Sequence, residues 1–402
     1  MPERVLITGL GAICALGTTV SDYWASLVAG RSAIGPLGNL AAGTRISIGA
    51  TIPGFAPSKH FSSDKLSLLD RYSQFAVLAA REALTDAGLS KDEDAVRRAG
   101  GVIGTGCGGK QTDEETYVTL YKRGRCRVHP LTIPKGMPSA AASMVSQDLG
   151  IQGPVFSVAS ACASGAHAIT QGYMMIKAGL VEVAVVGGTD APFTFGLLKA
   201  WEALQVVSND TCRPFSRDRT GMVLGEGSGV LILESEEHAR RRGAAVYAEL
   251  CGCGMSSDAD HITRPNVGGI ARAIQNALED ARVAADAVDY VNAHGTGTIA
   301  NDIAETEALH CVFGPYARKL RVSSTKSMHG HALGASSALE LIATVLAVHH
   351  NVTPPTANFT QAGEGCDLDY TPNTAREQNI RVAISNAFAF GGLNATLVIN
   401  SY

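Results

Sequence analysis

The chain has 402 residues, of which 46% are hydrophobic and only 17% charged, with a formal net charge of −4. A charged fraction below the roughly 25% usual for soluble domains points to extensive buried or intersubunit surface, and the acidic balance excludes a general nucleic-acid binder. Nine cysteines, at positions 14, 107, 126, 162, 212, 251, 253, 311 and 366, show neither a disulfide framework nor zinc-clasp spacing, so a reducing cytoplasm is the expected compartment.

In chain order, Arg4 precedes an apolar run over 5–16. One basic residue beside Glu3 is a poor signal-peptide start, so this run reads as a first buried strand ending in a Gly-rich turn. Strand-like runs at 5–7, 101–104, 155–158, 183–187 and 229–234 alternate with helical patterns at 20–29, 69–87 and 163–180. Such alternation predicts an α/β fold with a mainly parallel sheet. The Gly/Ser/Pro-rich stretches 32–67 and 106–138 read as insertions outside the core. GTGCGG at 104–109 formally satisfies the dinucleotide fingerprint, but KQTDEETY follows where an apolar helix is required. GEGSG at 225–229 lacks the Lys and hydroxyl of a phosphate loop and reads as a tight turn into a strand. From about Ala248 the pattern restarts, with strands at 250–254, 290–293, 322–325, 382–385 and 395–400 and helices at 269–283, 302–312 and 333–350. Two similar halves are expected, 1–243 and 244–402, parted after the charged segment EHARRRG. The apolar stretch 332–348 contains Glu340 and, at 17 residues, is short for a bilayer span. No membrane segment is expected.

Cys162 lies where the 155–158 strand feeds the 163–180 helix, among Ala159, Ser160, Ala161, Ala163, Ser164 and Gly165. Small neighbours leave room for a substrate, and a helix N-terminus offers free N–H groups and a positive dipole end, which lower a thiol pKa. The competing reading is a buried cysteine acting as a small hydrophobe. Two distant segments give it company. VNAHGTGT places His294 at a strand end, and KSMHGH carries Lys326 and His331 ahead of the helix with Glu340. His167 and His329 read as satisfied structural histidines.

SVASACASG around Cys162, NAHGTGT around His294, KSMHGH around Lys326 and His331, and SNAFAFGGLN near the C-terminus run in order along the whole chain. Together they resemble the β-ketoacyl-acyl carrier protein synthases, most closely the elongating type with one Cys and two His. The resemblance implies a thiolase-like fold, two βαβαβαββ-type halves in a five-layered αβαβα arrangement, as a homodimer or a close heterodimer. It implies that Cys162 takes an acyl chain from acyl carrier protein, and that His294 and His331 then assist decarboxylation of malonyl-carrier and stabilise the enolate. A thiolate is both nucleophile and leaving group in thioester exchange, and two neutral imidazoles supply the N–H donors an enolate oxygen needs. Lys326 would act electrostatically, paired with Glu340. The N–H groups of Cys162 and Phe390 would form the oxyanion hole. Phe390 would gate the acyl pocket on the hinge of Gly391 and Gly392, Thr296 and Thr298 would bind the phosphopantetheine arm, and Cys107 and Phe388 would contact substrate. No cofactor or metal is implied beyond the phosphopantetheine that carries the substrates.

Departures bear on the substrate. Cys107 stands where related enzymes carry a larger aliphatic residue, DAPFTFGLLKAWEAL at 190–204 is bulky, and Leu393 replaces a common Thr. These favour a specialised synthase, of the nodulation-protein-E type or one making a polyene or other secondary acyl chain. An acidic carrier calls for a basic patch, with Lys122, Arg123, Arg125, Arg127 and Arg213 as candidates. The 62–71 region, basic in related enzymes, carries Asp64 and Asp70 here, so carrier preference is expected to differ. Two alternatives are weighed. A non-catalytic, chain-length-setting partner would typically lack Cys162, and a degradative thiolase would carry a second Cys near SNAFAFGG, which has none.

Overall fold

The apolar run near the N-terminus forms β1 (Val5–Cys14), longer than its sequence signal because every residue in it is buried and no alternation marks its end. In the computed structural model, which describes residues 3–402, β1 is followed by β2 (Gly100–Gly104), β3 (Val155–Val158), β4 (Val183–Asp190) and β5 (Gly227–Ser235). Helices α1 (Arg71–Asp86), α2 (Ala140–Leu149) and α3 (Ser164–Lys177) connect the first four. The second half repeats the order: β6 (Ala248–Ser257), α4 (Val267–Ala281), β7 (Tyr290–Asn292), α5 (Ile299–Phe313), β8 (Arg321–Ser323), α6 (Ser336–His350), β9 (Val382–Ala389) and β10 (Leu393–Asn400). Each half is thus a βαβαβαββ unit.

The topology repeats as well. The first sheet runs β3-β2-β4-β5-β1 and the second β8-β7-β9-β10-β6, each with its first three strands parallel and its last two pairings antiparallel. The halves meet edge to edge, β1 pairing antiparallel with β6 so that Val5 faces Leu250. Layering follows from the apolar faces. α1 and α2 cover the outside of the first sheet through Phe75, Ala79 and Val145 against Val185 and Ile232. α4 and α5 cover the second through Ile270, Ile274 and Leu309 against Ile384 and Val398. α3 and α6 fill the space between the sheets, giving the five-layered thiolase-like arrangement. Among the described residues, the one helical stretch long and apolar enough to cross a membrane, Leu333–His350, contains this central α6 and is 89% buried inside the protein.

Three expectations need correction. The sheet is mixed rather than mainly parallel, five of its nine strand pairings being antiparallel. Stretch 32–67 contributes to packing after all, with Leu37, Ile46, Ile52 and Phe61 buried; single apolar residues between Gly and Pro carry no period to reveal this. The 69–87 helix begins only at Arg71, because Asp70 caps α1, accepting from Tyr72 N. Asp70 is 3% exposed and also accepts from Thr112 N and Oγ1 at 2.8 and 2.6 Å. It therefore adds no surface charge against a carrier, and only Asp64 of the pair is exposed.

Candidate active site

β3 ends against a turn in which Ala161 takes φ +49°, in the left-handed region, before a short 3₁₀ turn enters α3. Local bonds hold this costly conformation: Ser160 N donates to Ser164 Oγ at 2.9 Å, and Ser160 Oγ lies 2.6 Å from His167 Nδ1. Gly104 at the end of β2 permits the close fit, since a Cβ there would lie 2.2 Å from Ser164 O. The turn delivers Cys162, 7% exposed, with Sγ 3.0 Å from His331 Nε2.

The expectation that the helix end lowers the thiol pKa is overturned. Burial pushes Cys162 up to about 12, with Lys326 opposing, so desolvation outweighs the local positive charge. At rest the group is a thiol whose proton has one acceptor at hand, His331 Nε2. On the other edge of that ring, Nδ1 lies 2.9 Å from Ser336 Oγ. A hydroxyl can donate or accept, so Ser336 accommodates either tautomer.

His294 follows β7. Its backbone N–H and that of Gly295 donate to the carboxylate of Glu305 on α5 at 2.9 and 2.8 Å, and Asn386 Nδ2 completes that cradle at 3.2 Å. Lys326 Nζ donates to His294 O at 2.7 Å, lies 3.2 Å from His294 Nδ1, and is ion-paired with Glu340 of α6. An ammonium has no lone pair, so His294 Nδ1 must accept and the ring hydrogen must sit on Nε2. The two imidazoles face each other edge to face, 5.5 Å between centroids at 84°, with Phe388 5.9 Å from His294. Burial first, then Lys326, holds both histidines well below the usual imidazole range. Both are neutral N–H donors at neutral pH.

Two cavities meet at the thiol. One is lined by His294, His331, Thr296, Thr298, Phe388 and Phe390. The other is walled by Cys107, Leu197, Ala200, Leu204 and Leu333. Cys162, Trp201 and Phe390 border both, and the rings of Trp201 and Phe390 are 6.2 Å apart. Phe390 precedes Gly391 and Gly392 at φ +86° and +70°, conformations that glycine adopts freely. Thr296 and Thr298 share a 2.8 Å hydroxyl contact. Every site residue expected from the sequence thus borders one or both cavities, except Lys326 and Gly391, which adjoin residues that do, and Glu340, which is ion-paired with Lys326.

The basic candidates divide. Lys122, Arg123, Arg125 and Arg127 are exposed, whereas Arg213 is half-buried and paired with Asp210. Three functional acids had no motif to announce them. Asp190, at the end of β4, accepts from the N–H groups of Gly106, Cys107 and Gly334 at 2.7, 3.0 and 2.7 Å and fixes the Cys107 loop. Burial pushes it up to about 6 against those bonds. Glu305 cradles the His294 backbone, and Glu114 binds the helix that walls the second cavity. A lone acid closing the apolar run AVVGGTD was the only available signal for the first.

Comparison with known proteins agrees with this geometry. Residues 2–239 match the β-ketoacyl synthase N-terminal domain and residues 247–360 its C-terminal domain. The chain is 50% identical over 398 residues to nodulation protein E of Rhizobium sp. (strain N33), covering 99% of both chains. It is 41% identical over 407 residues to 3-oxoacyl-[acyl-carrier-protein] synthase 2 of Coxiella burnetii, covering 99% of this chain and 98% of that one. The solved ishigamide ketosynthase/chain length factor superposes with a TM-score of 0.93 at 36% identity over 100% of both chains. With its halves, its thiol and its paired histidines in place, the chain belongs to the β-ketoacyl synthase family of acyltransferases.

Proposed function

We propose that this condensing enzyme elongates carrier-bound acyl chains by decarboxylative Claisen condensation, with Cys162 as nucleophile. The observation that carries the reading is the thiol 3.0 Å from His331 Nε2, with His294 edge to face against His331 and all three lining one cavity. In the first step Cys162 Sγ attacks the acyl thioester, its proton passes to His331 Nε2, and the departing carrier thiolate takes that proton. Malonyl-carrier then enters past Thr296 and Thr298. Its carboxylate leaves as CO₂, and the enolate oxygen is held by the Nε2–H of His294 and by His331 in its Nε2–H tautomer, in which Nδ1 accepts from Ser336 Oγ. The enolate carbon attacks the acyl-enzyme while the backbone N–H groups of Cys162 and Phe390 hold the oxyanion. The C–S bond breaks, Cys162 leaves as thiolate, and one proton from water restores the thiol. Neither cofactor nor metal enters these steps, the substrates arriving on the phosphopantetheine of acyl carrier protein. Incubating the purified chain with acyl-carrier and radiolabelled malonyl-carrier should yield 3-oxoacyl-carrier; no product with several carriers would refute the reading.

The 50% identity to nodulation protein E and the cavity floor at Cys107 support a specialised acyl chain over a housekeeping one. Cys107→Phe should lower kcat/KM for acylation by long chains by about 10–100-fold while short chains still react; equal rates for all lengths would remove Cys107 from the acyl pocket. Lys122, Arg123, Arg125 and Arg127 form the proposed carrier-docking patch. Nine free thiols fit a reducing, cytoplasmic compartment, and Gly243 is the proposed division between the halves. We further propose a dimer, a second copy or close homologue pairing along β3. This strand ends the first sheet, is half-exposed, and presents Phe156 at 39% exposure, an edge that proteins rarely leave open. Phe156→Asp should sediment as a single chain; an unchanged sedimentation coefficient would exclude this edge.

A further inference from the structure

The helix Phe195–Leu204 stands outside the five layers and forms one wall of the second cavity. Leu197, Ala200, Trp201 and Leu204 recur at helical spacing along the face that lines this space. Its opposite anchor is Leu198, fully buried in a small cluster with Leu37, Ile46, Phe193 and Met222. Trp201 of this stripe already packs against that cluster and lies near Phe390, whereas Ala200 and Leu204 are exposed and gain apolar packing when an apolar ligand enters.

How this wall is mounted is therefore informative. Thr194 precedes the helix but makes no capping bond with its side chain. The cap comes instead from Glu114, on the helix Lys110–Tyr117, whose carboxylate accepts from Phe195 N at 3.0 Å and Gly196 N at 2.7 Å. Two charge-assisted bonds to the first turn supply both hydrogen-bonding partners and a favourable charge at the dipole's positive end. The far end is also tethered, Glu202 accepting from Arg45 N at 2.6 Å. Two carboxylates thus hold a wall that its own packing holds only on one side.

Resting on the elongating reading above, we propose that Glu114 is a positioning residue for acyl-chain selection: it pulls the Phe195–Leu204 wall inward and so sets how long a chain the pocket accepts. Releasing it lets the wall relax outward.

The test compares acylation kcat/KM for a long and a short saturated acyl-carrier in the unaltered chain, E114A, E114Q and E114D. In E114A the long-to-short ratio should rise about tenfold, with E114Q intermediate and E114D restoring most of the original preference. Glu202→Ala, which frees the other tether, should shift the ratio in the same direction. A ratio that stays constant, a fall shared equally by both chain lengths, or a shift that E114D does not reverse overturns the proposal. Product formation by the unaltered chain tests the reading on which this rests, whereas the ratio between chain lengths tests Glu114.

Discussion

Cys162→Gln is expected to abolish condensation, by roughly 10⁴-fold or more, while malonyl-carrier decarboxylation continues. The two half-reactions draw on different groups. Condensation needs a sulfur that forms and then breaks a thioester, which an amide cannot do. Decarboxylation needs only N–H donors at the enolate oxygen, and neither His294 nor Lys326 depends on the thiol for its position, since both are held by each other, by Glu305 and by Glu340. The thiol, though part of the core, also borders two cavities, which leave room for the longer Gln side chain. The measurement is release of labelled CO₂ alongside formation of 3-oxoacyl product. Retained condensation would move the nucleophile elsewhere, with Cys107 the other thiol on the acyl cavity.

The contrast between readable and unreadable parts of this site is physical. Cys162 and His294 stood out because each lies beside small residues at the end of a strand, where side chains project into space, whereas Lys326 and His331 stood out only through the KSMHGH segment ahead of the helix with Glu340 and its likeness to the family motif. The two halves were legible because buried strands and Ala-rich helices recur in one order, and the same order reappears as the same sheet topology. Asp190, Glu305 and Glu114 left no such trace. Each works by accepting backbone N–H groups from another segment, as Glu305 does from His294 and Gly295 and Glu114 from the distant Phe195 and Gly196, and backbone donors carry no letter. Asp70 misled for the same reason, being a helix cap rather than a surface charge. The thiol pKa shows a different limit. A helix end can be read from letters, but burial depends on what the second half of the chain lays over the first, and here burial decides the sign.

The chain Glu340–Lys326–His294 serves the decarboxylation half of the chemistry, and its disruption should be second only to loss of the thiol. His294→Ala removes the Nε2–H aimed at the enolate and should slow decarboxylation by about 10²–10³-fold, while single-turnover acylation of Cys162 persists because the Cys162–His331 contact is untouched. An unaffected decarboxylation rate would remove His294 from the site. Lys326→Met tests why His294 works. Met keeps length but not charge, leaving Nδ1 without its donor and both tautomers open to the ring. It also strands Glu340 in the core, a loss of about 3–5 kcal/mol for an unpaired buried ion, softened because burial already raises the Glu340 carboxyl to about 7 and so favours its neutral form. The pH signature separates charge from packing. Lys326 is second only to burial in depressing both imidazoles, so removing its charge must raise their pKa values. In the unaltered chain, ring ¹⁵N resonances of His294 and His331 should stay those of neutral imidazole as pH falls through the usual titration range of histidine; in Lys326→Met they should begin to titrate closer to that range. If the resonances of Lys326→Met match those of the unaltered chain at every pH, the lysine's charge does not govern these rings, and its role reduces to filling the space between Glu340 and His294.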